Sequence, residues 1–151
     1  MPVAGAFAGH RHFTEPHTGD LSMSWQPVFL GTDVPAPKGA YSPAVRAGDF
    51  IYVSGQVPRD AISGEIVGDD VRSQTRQVLR NVERTLAAAG ATLTDIVSVT
   101  AYLSSSDLWT DFNDEYKSIM SPPYPARTAL GCDLRGILVE ITVVAYKPLP
   151  G

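Results

Sequence analysis

The sequence predicts a two-layer α+β domain: a single, mostly antiparallel sheet covered on one face by two helices. Three observations lead there. Residues 70–89 and 104–120 carry apolar side chains at helical spacing. Short β-rich runs recur around residues 52, 100, 129 and 142. Three of those runs share one almost purely aliphatic face, formed by Ile51 and Val53, by Val97, Val99, Ala101 and Leu103, and by Val139, Ile141, Val143 and Ala145.

Each element has its own signal. Residues 1–38 hold Pro2, Pro16, Pro27, Pro35 and Pro37 with little periodicity, so an irregular N-terminal leader is expected before a domain spanning 39–147 and a tail at 148–151. Tyr41 to Val45 and Phe50 to Gly55, turned at Ala47-Gly48-Asp49, read as a hairpin. Asp69 or Asp70 caps a helix that stops at Gly90, with Val71, Val78, Leu79, Val82 and Leu86 on its apolar side. Ile96 to Leu103 alternates as a strand. Ser104 to Asp107 then opens a second helix, whose Leu108, Trp109, Phe112, Tyr116 and Met120 lean to one side as core before Pro122 and Pro123 end it. Strands from Arg127 to about Cys132 and from Leu138 to Tyr146, joined by a turn at 133–136, complete the pattern.

Composition bounds the function. A chain of 151 residues that is 44% hydrophobic is one domain with a real core. A net charge of −4, with Lys and Arg scattered, argues against a nucleic-acid surface, whose affinity comes from clustered cations. The single cysteine, Cys132, excludes an internal disulfide framework and fits a reducing, cytoplasmic setting. No run of 18 apolar residues exists to span a membrane. All three histidines, His10, His12 and His17, sit in the leader, where they read as exposed side chains rather than metal ligands. Residues 39–147 therefore hold no histidine base, and no metal is expected.

Chemistry is expected where polar residues interrupt apolar ones. Glu140 is the lone acid in Val139 to Ala145, and an unpaired buried carboxylate is expensive, so it must be paired, hydrogen-bonded or lining a cleft. The sheet face opposite the aliphatic one carries Phe50, Tyr52 and Ser54, then Ile96, Ser98, Thr100 and Tyr102, then Leu138, Glu140, Thr142, Val144 and Tyr146. Such a half-apolar face is expected to be buried against copies of the same chain, with Glu140 facing the interior.

Gly39-Ala40-Tyr41-Ser42, Val53-Ser54-Gly55-Gln56, Phe112-Asn113-Asp114-Glu115-Tyr116, Pro125-Ala126-Arg127 and Val139-Glu140-Ile141 stand in the order and approximate spacing of the RidA (YjgF/YER057c/UK114) family, some of whose members are labelled endoribonuclease L-PSP. The chain resembles that family from Gly39 to Tyr146. The resemblance implies a chorismate-mutase-like fold, a homotrimer with clefts between subunits, and cofactor-free hydrolysis of reactive 2-imino or 2-enamino acids to 2-oxo acids and ammonia. Arg127 resembles the family's carboxylate ligand, a planar fork that Lys cannot copy. Glu140 resembles the residue that positions or activates water. Tyr41 is similar to the tyrosine walling the cleft, Ser54 and Gly55 to the strand-end pair that lets substrate approach closely, and Asn113 to an asparagine at the cleft edge.

This chain departs from the family pattern at Ala129, where many members have cysteine, and at Thr142, where a second acid is common. The span from Arg127 to Glu140 is also shorter than in the best-known deaminases. A non-catalytic trimer that senses a small acid through the same cleft is the rival expectation. RNA cleavage is the least supported.

Overall fold

The computed structural model describes residues 24–151; the three leader histidines lie outside that range. Six strands and two helices follow one another as β1 (Gln26–Pro27), β2 (Ala44–Ala47), β3 (Phe50–Gln56), α1 (Val71–Ala88), β4 (Ile96–Leu103), α2 (Trp109–Ile119), β5 (Ala126–Gly131) and β6 (Val139–Tyr146). They form one open, mixed sheet in the order β1-β2-β3-β6-β4-β5, covered on one face by α1 and α2.

Local chemistry sets the boundaries. Gly48, at φ +59°, opens the two-residue turn of the β2–β3 hairpin, a position that requires a left-handed residue. Asp70 caps α1, its Oδ1 accepting the Ser73 amide at 2.7 Å. At the other end the Gly90 and Ala91 amides donate to the Ala87 and Leu86 carbonyls, and Gly90 at φ +79° makes the reversal possible. Val71, Val78, Leu79, Val82 and Leu86 are all buried, as their spacing predicts.

Pairing departs from chain order at the C-terminal end. The turn after β5 does lead to β6, but β4 lies between the two strands and pairs with both. Helix α2 makes the stretch from β4 to β5 a β-α-β crossover, and β4–β5 is accordingly the sheet's parallel pair.

A second difference is local. Between Ile96 and Ser98 the β4–β6 ladder slips by one residue, Ile96 facing Ala145 and Ser98 facing Val144. Val97 is the extra residue, so it turns outward at 44% exposure while Ile96 joins the core at 5%. A one-residue bulge exchanges the two faces and reverses the assignment that strict alternation makes for this pair.

The core lies between the helices and the face bearing Ile51, Val53, Val99, Ala101, Leu103, Val139, Ile141, Val143 and Ala145. On the other face Phe50, Tyr52, Val97, Leu130 and Tyr146 remain between 40% and 47% exposed. Neither helix covers them. No helix among the described residues is long and apolar enough to cross a membrane.

Candidate active site

Arg127 lies on β5 opposite Val99, on the helix-covered side of the sheet. Its Nη2 donates to Asn113 Oδ1 at 2.8 Å. The guanidinium carbon sits 4.6 Å from the Tyr116 ring centroid, 5.5 Å from Phe112 and 5.8 Å from Trp109. One helix thus gives the cation both an amide acceptor and an aromatic bed, an arrangement favoured because the ring face carries negative potential. Arg127 makes no ion pair among the described residues. Its partner is neutral, so its charge is left uncompensated.

That charge borders a cavity of about 440 Å³ lined by Asn113, Tyr116, Lys117, Tyr124, Pro125 and Arg127. Two cations and no acid border it. The lining carries positive charge, and a guanidinium with only one of its five donors spoken for is chemically able to grip a carboxylate through two parallel hydrogen bonds.

Glu140 occupies a different environment. Its strand neighbours Val139 and Ile141 are fully buried toward the helices, so Glu140 projects to the opposite face, where it is half-buried. Gly55 sits against it: a Cβ at that position would lie 3.1 Å from Glu140 Cδ and 3.3 Å from Oε1. The acid lines a second cavity of about 400 Å³ with Val57, Arg59, Asp133, Arg135 and Ile137. Buried amides of α1 brace its walls. Asn81 Nδ2 donates to the carbonyls of Val57 and Arg59 at 3.0 and 2.8 Å, and Gln74 Oε1 accepts the Leu138 amide at 2.8 Å.

Tyr41 and Ser54 belong to the Glu140 side. The Ser54 hydroxyl donates to the Ser42 carbonyl at 2.6 Å, and its amide donates to Pro43, stitching the segment before β2 onto β3. Tyr41 is thereby held at the junction of two hollows, one shared with Tyr52 and Ser54 and one with Gly55 and Arg59, and its ring is 58% exposed. Thr142, where an acid is common in the family, donates to the Val53 carbonyl at 2.6 Å, next to the irregularity between Val53 and Gln56. Ala129 packs against the core.

Within one chain, then, the six candidate residues form two groups. Arg127 and Asn113 share a cationic cavity on the helix side, and Tyr41, Ser54, Gly55 and Glu140 gather on the open side. The folded chain does not bring Arg127 and Glu140 into one cavity. Sequence reasoning assigned Trp109, Phe112 and Tyr116 to the core, which holds for Phe112 and Tyr116, yet all three also bed the Arg127 guanidinium. Their spacing from Asn113 on one helix was the available signal. Burial also raises the Tyr116 phenol above its ordinary pKa, although the Arg127 charge pulls the other way.

Comparison with known proteins agrees with this architecture. The family model described as Endoribonuclease L-PSP matches residues 31–147. The chain belongs to the RidA family. A RutC family protein of Pyrococcus horikoshii is 39% identical over 122 residues, covering 80% of this chain and 97% of the relative. The 2-iminobutanoate/2-iminopropanoate deaminase of Bos taurus is 36% identical over 129 residues, covering 84% and 94%. The crystal structure of RidA from the Antarctic bacterium Psychrobacter superposes with a TM-score of 0.71 at 32% identity, covering 76% of this chain and 94% of that one. The family assignment carries the fold with it: two helices on an open mixed sheet.

Proposed function

We propose that this protein hydrolyses reactive 2-imino or 2-enamino acids to 2-oxo acids and ammonia. The observation that carries the reading is the Arg127 cavity, bordered by two cations and no acid and sized for a small carboxylic acid. The deaminase names among the family's relatives support it.

The working unit is a homotrimer. Arg127 and Glu140 lie on opposite faces of one sheet, so a cleft containing both needs a second copy. The open apolar face of Phe50, Tyr52, Val97, Leu130 and Tyr146 supplies the surface for that contact. In this arrangement Arg127 of one subunit holds the substrate carboxylate and Lys117 adds to the attraction. Glu140 of the neighbouring subunit accepts a hydrogen bond from a water and aims it at the imine carbon. Water adds across the C=N bond to give a carbinolamine, whose C–N bond then breaks, releasing ammonia and leaving the 2-oxo acid. No oxidant, reductant or cofactor enters the balance. The substrate already hydrolyses unaided, so orientation and proton transfer supply what is required.

An amino-acid oxidase that generates 2-iminobutanoate in place provides the assay. This protein should accelerate release of 2-oxobutanoate, and Arg127→Ala should return it to background. Ligand binding with turnover at background would instead establish a non-catalytic binder of small acids.

A further inference from the structure

Tyr116 is only 3% exposed, and its phenol oxygen is buried without a hydrogen-bond partner among the described residues. Buried hydroxyls are nearly always paired, so one left open beside a cavity needs a reason. Tyr116 lines the same cavity as Arg127 and Asn113, and its ring lies 4.6 Å beneath the guanidinium carbon. The two polar side chains nearest in function are already matched to each other, because Asn113 Oδ1 takes an Arg127 N–H. Among the side chains lining this cavity, the Tyr116 phenol is the one whose polar atom is both buried and without a partner. Its burial keeps it protonated well past neutral pH, leaving it a hydrogen-bond donor.

A carboxylate seated on Arg127 brings the missing acceptor. Its two oxygens offer about four lone-pair directions, and a guanidinium fork uses two of them. We infer that Tyr116 is a ligand-binding residue whose hydroxyl donates to a carboxylate oxygen of the small acid held by Arg127. This rests on the reading of the Arg127 cavity as the carboxylate site. Its consequence is a site that favours an α-carboxylate over the corresponding amide or ester, because only the anion uses the guanidinium and the phenol together.

Calorimetric titration with 2-oxobutanoate of the full chain, Tyr116→Phe and Arg127→Ala, alongside thermal unfolding of each, tests the assignment. Phenylalanine keeps the ring and its contact with Arg127 and removes one oxygen. Affinity should fall about tenfold or more, the loss expected for a hydrogen bond to a charged acceptor. The unfolding midpoint should stay level or rise, since the free protein loses an unpaired buried hydroxyl. Unchanged affinity in Tyr116→Phe, with binding abolished in Arg127→Ala, overturns the role of Tyr116 and leaves the Arg127 site standing. A lowered midpoint with unchanged affinity shows a structural phenol and also overturns it. Absence of binding to the unaltered chain, or binding that Arg127→Ala does not weaken, overturns the carboxylate site and the Tyr116 assignment with it.

Discussion

Gly55→Ala separates the chemistry of Glu140 from the stability of the sheet. The added methyl would stand 3.1 Å from Glu140 Cδ, 3.3 Å from Oε1 and 3.4 Å from Cγ. Ordinary contacts begin near the last of these distances, so the carboxyl must retreat by a few tenths of an ångström. Gly55 does not have a positive φ, so alanine strains no backbone there. Two effects on stability then oppose each other. Replacing glycine stiffens the unfolded chain and stabilises by about 0.4–1 kcal/mol, whereas pushing a side chain off its rotamer costs about 0.5–1.5 kcal/mol. The net change should stay within about 1 kcal/mol, a shift of a few degrees in midpoint.

Catalysis has no such compensation. A misplacement of about 1 Å can cost about a hundredfold, so a few tenths should lower kcat by about tenfold. KM should move little, because the carboxylate anchor proposed above, Arg127, belongs to the other group. Calorimetry or dichroism reads the midpoint, and the coupled imine assay reads kcat. A variant that folds normally and keeps full kcat would refute the placement of Glu140 in the reaction. A rise in KM at constant kcat would mean that Gly55 shapes substrate binding instead.

Other perturbations address assembly and pH. Tyr52→Glu puts a charge in the middle of the open apolar face, where its neighbours are exposed aromatics, and should yield a folded monomer without imine hydrolysis; sedimentation shows the assembly, and an active monomer would refute the shared cleft. Amide and hydroxyl hydrogen bonds from Ser73 hold the Asp70 carboxyl below the usual carboxylate range. A depressed folded pKa contributes stability that is present above the unfolded value and is lost as pH falls through the folded one. Asp70→Asn keeps a competent cap yet should flatten the acid limb of the stability curve, read from unfolding midpoints between about pH 5 and 2; an unchanged acid limb would show that the cap is not what titrates.

Element by element, much of the molecule is written locally. The helix from Asp70 to Gly90 is specified by a cap, an apolar stripe and a stop, all within one stretch of chain. The hairpin at Gly48 is equally local, and the five motifs that mark the family are short contiguous runs. The acid in β6 announces itself because a carboxylate among aliphatic residues is costly wherever the strand ends up.

What the sequence alone determined, therefore, is the family and the elements from β2 onward, since these rest on propensity and spacing along the chain, whereas β1 (Gln26–Pro27) falls in a stretch that reads as irregular and is a strand only through its pairing with β2. Tertiary structure decided which strand lies beside which, that a bulge turns Val97 out and Ile96 in, and that β4 separates β5 from β6. It also decided that Arg127 rests on the α2 aromatics while Glu140 faces the other way. Strand order and register are settled by side chains distant in sequence competing for one buried face, and a single residue of slip reverses the result. No local pattern records the outcome of that competition.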